Sequence, residues 1–320
     1  MSSLKSNKQI DNTVEKVIKN ESIRYQEKGF GLISAFAALI CFYYIIPKLI
    51  KTAWPFLLEN LSQEEMYFYL GILFHTGSHV ITNGIMGIIY KIKLPFFEKY
   101  RVSDKPWPWE SQPELWKKIL RKTLKVLAIE HFVIVPIILL VQCKLGIKMR
   151  FDLESFPSLK EIIGQIIFFA IVEDFFFYWT HRILHHPKLY PYIHKIHHEY
   201  NITISLAAEY AHPLEFIFGN LFPVNVGPRM LGNKVHVATY LIWIIVAQME
   251  TADQHSGYEF PWSPYRFMPL SVSTHYHNFH HSHNAGNFCS VTTVWDTLCG
   301  TNKSYFTYLA KKREKAKLKK

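Results

Sequence analysis

The chain has 320 residues, 49% of them hydrophobic and 16% aromatic, with a formal charge of +11. That length suits one large domain or two small ones. Its four cysteines (Cys41, Cys143, Cys289, Cys299) form no C-x-x-C pair, which excludes a disulfide framework and a cysteine-based zinc knuckle.

Residues 1–29 are polar, carry Lys5, Lys8, Lys16, Lys19, Arg24 and Lys28, and read as a cytosolic segment rather than a cleavable signal peptide. Residues 30–180 read as transmembrane helices and their loops. Phe30 to Ile46 is an uncharged apolar run just long enough to span a bilayer, ended by Pro47 and Lys48. A second run, Met66 to Tyr90, contains His75, His79 and Asn83; a third, Leu124 to Val141, contains Glu130, His131 and Pro136. The fourth, Ile162 to Trp179, carries Glu173 and Asp174 near its end. Ionisable groups at such depth face a bundle interior or water. His75, His79 and His131 are therefore expected to bond polar groups between helices.

Charge orients these runs. The link from Lys91 to Lys125 carries ten basic residues, whereas residues 48–65 carry two against three glutamates. The positive-inside rule places the N-terminus and the 91–125 link in the cytosol, and four crossings return the chain there at His181. The basic charge thus has a membrane meaning, and no nucleic-acid partner is expected.

Residues 181–305 form a histidine-rich region holding 14 of the 17 histidines. Within it lie apolar stretches at about 214–231 and 235–249. The first contains Pro223, Gly227 and Pro228, so one straight helix is not expected. The pair reads as a membrane-associated hairpin near 214–249, re-entrant or interfacial, or as packing helices that carry the site; a fifth and sixth crossing stay open. Residues 306–320 form a basic cytosolic tail, suited to anionic headgroups.

Three clusters carry the chemistry: His181-x-x-x-His185, His194-x-x-His197-His198 and His277-x-x-His280-His281. Residues three and four apart are neighbours on a helix, so His181 and His185 can close on one metal. Adjacent pairs such as His197 and His198 splay about 100° apart and can serve two metals. One such cluster is more often a satisfied polar pair than a ligand set. Three, embedded in aromatic and aliphatic sequence, predict a dinuclear site built almost wholly of imidazole. Imidazole suits zinc, copper, iron and nickel. Zinc would imply hydrolysis or transport; two irons would imply oxygen activation at an unactivated C–H bond. A site beside the membrane favours the second and a lipid substrate. Carboxylates are expected to orient the ring N–H groups, with Glu173, Asp174, Glu199, Glu209, Glu215 and Asp253 as candidates, two of the six.

The clusters resemble those of the membrane fatty acid hydroxylase superfamily of diiron oxygenases, and the methylsterol monooxygenases within it. The resemblance rests on His181-Arg182-Ile183-Leu184-His185-His186-Pro187, His194-Lys195-Ile196-His197-His198 and Ala208-Glu209-Tyr210-Ala211-His212-Pro213-Leu214-Glu215. It continues through His255-Ser256-Gly257-Tyr258, Pro261-Trp262, His277-Asn278-Phe279-His280-His281 and Trp295-Asp296, covering roughly residues 160–305. Cys289, Cys299 and Asn302 depart from the family's usual residues, outside the ligand set.

The resemblance implies an all-α integral membrane protein, with about four transmembrane helices and a cytosolic helical cap holding the dimetal site. It implies ligation of two Fe ions by His181, His185, His194, His197, His198, His277, His280 and His281, and adds His255, which local spacing does not reveal. His212, Asp253 and Glu209 become candidates for supporting or channel roles. The implied activity is stepwise oxidation of a sterol C-4 methyl group to the carboxylate with O2, in the endoplasmic reticulum membrane. Electrons would come from NAD(P)H through cytochrome b5 and its reductase, since no G-x-G-x-x-G fingerprint is present. Other enzymes of sterol C-4 demethylation would be neighbours. The alternatives are a sister lipid oxygenase (sterol C-5 desaturase, sphingoid-base or fatty acid hydroxylase) and a membrane metal transporter using His75, His79, Glu130 and His131.

Overall fold

A computed structural model of the chain describes residues 28–317. Most of the polar N-terminal segment and the end of the basic tail lie outside the described residues. Among the described residues the regular structure is helical, and extended pairing is limited to three isolated bridges.

The first long helix is α1 (Lys28–Ile40), a π turn (Cys41–Ile45) and α2 (Ile46–Asn60). It does not end at Pro47. The proline sits just past the π turn, and Pro55 lies inside α2. Proline clashes with the carbonyl four residues back. The same pattern recurs twice, with a π turn at Glu130–Ile134 before Pro136 and another at Phe216–Leu221 before Pro223. In each case the wider turn lets the helix continue.

Residues 61 and 62 turn the chain back into α3 (Gln63–Ile92). Ser62 caps it in a capping box: Glu65 N–H donates to Ser62 Oγ at 3.2 Å, and Ser62 N–H donates to Glu65 Oε2 at 2.9 Å. The supposed 48–65 link is therefore almost all helix. Next come α4 (Pro113–Ile129), the π turn, α5 (Val135–Lys144) and α6 (Leu159–Leu184), the last capped by Ser158. Among the described residues, four continuous stretches are long and apolar enough to cross a membrane: Leu32–Asn60, Gln63–Ile92, Pro113–Lys144 and Leu159–Leu184. Their outward faces expose large apolar side chains such as Ile33, Phe36, Val80, Ile85, Phe132, Ile167 and Ile171. Lipid, rather than water, suits such a surface.

The 214–249 region is a hairpin packed against this bundle, its second limb buried and Phe218, Phe222 and Met230 of its first limb exposed. A single turn at Pro213–Glu215, the π turn and α7 (Phe222–Leu231) run along α6, then α8 (Val237–His255) runs back along α3. The proline-bearing stretch is broken, as its prolines predict. Gly227 allows the close approach: a Cβ there would lie 2.9 Å from Phe169 Cα. The hairpin tip meets the loop between α5 and α6, where Arg150 N–H donates to Val235 O (2.8 Å) and Val237 N–H to Arg150 O (2.9 Å). At the other end α8 delivers His255. Phe216, Val237, Leu241 and Ile242 of the hairpin share a core with Met66 of α3, Ile162 and Phe169 of α6, and Trp54. The chain closes with α9 (Thr274–His283), α10 (Val294–Cys299) and α11 (Lys303–Lys317). The basic 91–125 link lies at the same end as the histidine region: Val102 N–H donates to Gly257 O at 2.9 Å, and Glu259 N–H to Tyr100 O at 2.8 Å.

Candidate metal centre

Four elements meet at this end. His181 lies in the last turn of α6 and His185 caps it; a 3-10 turn, His194–Glu199, carries His194, His197 and His198. His255 ends α8, and α9 presents His277, His280 and His281. The nine histidines sort into two cages. His181, His185, His194, His198 and His280 converge in one; His197, His255, His277 and His281 converge in the other, with ligand atoms within 4.8 Å of one another in each. The adjacent pairs His197/His198 and His280/His281 split between the cages, as their angular spacing predicts. The cages abut: the His198 and His281 rings stack at 4.8 Å.

Nε2 faces Nε2 throughout. In the first cage the separations are 3.1 Å (His181–His194), 3.1 Å (His194–His198) and 3.2 Å (His185–His280). In the second they are 2.9 Å (His255–His277), 3.1 Å (His277–His281) and 3.4 Å (His197–His255). The outer nitrogens fix the tautomers. Nδ1 of His181, His197, His255 and His280 lies against the carbonyl oxygens of Phe288 (2.8 Å), Tyr210 (3.1 Å), Thr251 (2.8 Å) and Gly286 (2.6 Å). A carbonyl only accepts, so Nδ1 carries the proton and Nε2 a lone pair. Lone pairs at such separations repel unless a cation sits between them. Four nitrogens at the usual 2.0–2.1 Å around a tetrahedral metal would be about 3.3–3.4 Å apart. The donor set fits a metal pair. Burial, reinforced by neighbouring imidazoles, pushes His194, His197, His198, His277, His280 and His281 well below the ordinary histidine range. They are neutral, the form that ligates.

The supporting groups differ from expectation. Of the six carboxylates, Glu215 alone bonds a cage histidine, at 2.7 Å from His194 Nδ1. His212 caps the turn at Pro213, Asp253 bonds Arg266 and Ser263, and Glu209 bonds His79. None of these three touches a cage imidazole. Glu173 and Asp174 lie on α6 below the cage, and Glu199 takes Lys122 and Tyr210. Backbone carbonyls do most of the orienting, because the ligands sit at helix ends and loops where carbonyls are free. Two side chains hold this frame: Arg266, which the sequence does not flag, and Asp296, which it flags only as part of the family resemblance. Arg266, buried, joins Asp253 of α8 to Thr274 Oγ1 (2.9 Å) and Val272 O (2.8 Å) at the start of α9. Asp296 accepts from Phe288 N–H and Cys289 N–H, each at 3.0 Å, and from Tyr276 Oη at 2.8 Å. That fixes the Phe288 carbonyl beneath His181.

Between the helices lies a largely apolar cavity of about 660 Å3. Its wall follows two helix faces, Ile166, Ala170 and Phe177 on α6 and Ile244, Ala247 and Thr251 on α8. Continued one turn, those faces reach His181 and His255.

The protein is thus an all-helical membrane protein with paired imidazole cages and a largely apolar cavity between its helices. The fatty acid hydroxylase family model matches residues 166–301, the stretch holding all nine cage histidines. The chain is 34% identical over 279 residues to methylsterol monooxygenase 1 of Gallus gallus, covering 84% of this chain and 88% of the relative. It is 33% identical to methylsterol monooxygenase 2-2 of Arabidopsis thaliana, covering 80% and 93% of the two chains. Very-long-chain aldehyde decarbonylase GL1-8 of Oryza sativa is 31% identical, covering 80% and 92%. The chain belongs to the fatty acid hydroxylase family. No solved structure matches it.

Proposed function

We propose that the protein is an O2-dependent diiron oxygenase that oxidises the C-4 methyl group of a methylsterol, stepwise, to the carboxylate. The carrying observation is the apolar cavity whose two helix faces end at His181 and His255. The relatives named methylsterol monooxygenase support the sterol. His181, His185, His194, His198 and His280 would hold one iron, and His197, His255, His277 and His281 the other. When bound, the irons supply the activation of O2 and the oxidising power for a methyl C–H bond.

The chain's own residues supply place and dryness. The cavity wall lets a rigid apolar molecule lie with one end beneath the cages and excludes water from the rest. Phe177 and Thr251, a turn below the ligands, bound the space for the reacting carbon. Backbone carbonyls hold His181, His197, His255 and His280 in the ligating tautomer, and Glu215 does so for His194. Because the chain offers no nucleotide fingerprint, electrons come from NAD(P)H through cytochrome b5 and its reductase. The basic face of α4, with Lys117, Lys118 and Arg121, would attract an acidic carrier. We further read the protein as resident in the endoplasmic reticulum, with termini and cages on the cytosolic side, near other enzymes of sterol C-4 demethylation.

Incubation of the purified protein with a 4,4-dimethyl sterol, NADH, cytochrome b5, its reductase and O2 tests this. Formation of 4-hydroxymethyl and 4-carboxy sterols is expected. Iron-loaded protein that oxidises a long-chain aldehyde or ceramide and leaves the sterol untouched would move the substrate to another lipid.

A further inference from the structure

A third histidine group lies apart from the cages. His75 and His79 of α3, His131 of the π turn before α5 and Glu209 of the loop before Pro213 converge, all buried. Their spacing alone would suit a third metal, but the hydrogen bonds exclude it. Gln248 Nε2 lies 2.9 Å from Glu209 Oε1, and Asn83 Nδ2 lies 3.0 Å from the His79 carbonyl. A carboxylate and a carbonyl only accept, so both amide atoms are NH2 groups. Those NH2 groups also face the outer ring nitrogens, His75 Nδ1 at 2.9 Å and His79 Nε2 at 3.4 Å. Thr76 Oγ1 faces His131 Nδ1 at 3.2 Å. The outer nitrogens of His75 and His79 therefore accept and their inner ones carry protons; the Thr76 hydroxyl can donate to His131 Nδ1, which leaves His131 Nε2 protonated towards Glu209. This is the reverse of the cage pattern: the protons point at a carboxylate, and no lone pairs converge on a cation.

Glu209 is thus an anion gripped by N–H donors. Burial alone would raise its carboxyl, but His79, His75 and His131 outweigh that and hold it well below the usual range. Oε2 lies in close ion-pair contact with His79 Nδ1 (2.6 Å) and His131 Nε2 (3.1 Å). Oε1 takes Gln248 and keeps one acceptor position. Its other neighbour, His75 Nε2, is 3.6 Å away, too far to bond, and has no other hydrogen-bond partner. An unfilled acceptor and an unfilled donor therefore stand side by side, and His75, Glu209 and Gln248 all line the apolar cavity. Glu209 also precedes Tyr210, whose carbonyl holds His197 of the second cage at 3.1 Å.

We propose that His75 and Glu209 bind the hydroxyl group of the lipid substrate: its O–H donates to Glu209 Oε1, and its oxygen accepts from His75 Nε2–H. One group that both donates and accepts satisfies both partners; a ketone or ether would leave Glu209 unfilled. Resting on the sterol reading above, this gives the site its register. In a methylsterol the oxidised methyl hangs from the carbon next to the hydroxyl-bearing carbon, so anchoring that hydroxyl beside the Tyr210 loop presents the methyl to the cages.

The test is equilibrium binding to the iron-loaded protein without reductant, by displacement of a radiolabelled sterol. Three 4,4-dimethyl sterols are compared, bearing a 3-hydroxyl, a 3-ketone or no oxygen at C-3. The wild type is expected to prefer the hydroxyl over the deoxy sterol by about 10- to 100-fold, as a hydrogen bond to a charged group allows, with the ketone between. His75→Phe and Glu209→Gln should each shrink that preference while keeping iron. The wild-type comparison stands even if a variant fails to fold. Equal binding of hydroxyl and deoxy sterols by the wild type would overturn this assignment alone, as would a full preference retained by both variants. Binding of none of the three would overturn the sterol reading and this assignment with it.

Discussion

Replacing Arg266 with leucine tests whether the second cage depends on the clamp between α8 and α9. The Arg266 guanidinium, only 6% exposed, reaches Asp253 Oδ2, Glu259 Oε1, Thr274 Oγ1 and Val272 O. His255 lies two residues beyond Asp253, and His277 three beyond Thr274. Arg266, beside the direct bond from Thr274 Oγ1 to Asp253 O (3.0 Å), thus holds the two helices that set the 2.9 Å separation of their Nε2 atoms. Removing one partner of a buried ion pair leaves an uncompensated charge and costs about 3–5 kcal/mol. Arg266→Leu should melt at a markedly lower temperature and hold less metal, with the loss confined to the cage of His197, His255, His277 and His281. Removing the Asp253 charge as well, in Arg266→Leu/Asp253→Leu, should recover part of the stability but not the ligand geometry, since Glu259 also loses its partner. Thermal unfolding paired with elemental analysis reads both. Arg266→Leu that keeps wild-type melting and full metal content would refute the clamp.

Glu215→Gln keeps an acceptor for His194 Nδ1 but removes the charge; metal affinity should fall by about 10-fold or more, the usual effect of losing such an outer partner, measured by competition with a chelator. Gly286→Ala should destabilise the chain and empty the first cage, because Gly286 has φ +62 and a Cβ there would strike Thr301 O; thermal unfolding and metal content check it. His79→Ala should leave the metal content of the chain unchanged, since the third histidine group is a carboxylate clamp; elemental analysis showing a lost metal would contradict that.

The spacing within the three clusters groups their eight histidines because residues three and four apart on a helix are neighbours, and the structure brings the clusters together. His255 was not legible in this way, since its nearest cage partner, His277, is 22 residues away in sequence; only the family resemblance pointed to it. Carboxylate support was over-read. Ring N–H groups take whichever acceptor is free, and backbone carbonyls at loops leave no mark in a sequence. The first helix was cut short at Pro47 because proline normally breaks the hydrogen-bond ladder. A π turn absorbs it, as before Pro136 and Pro223. The hairpin's broken first limb followed from its prolines, but its path against the bundle followed from packing of α7 on α6 and α8 on α3. The polar partners expected for His75, His79 and His131 emerged as Glu209, Gln248, Asn83 and Thr76, drawn from separate parts of the chain.

The most direct measurement is iron per chain in the purified wild type and in His280→Ala and His281→Ala, with sterol oxidation assayed on the same samples. These neighbouring residues serve different cages. Two irons are expected in the wild type, loss of a different one in each variant, and no oxidised sterol from either. A wild type that binds a single iron or none while oxidising sterol, or either variant turning over at the wild-type rate, would contradict a paired-iron centre built from these nine histidines.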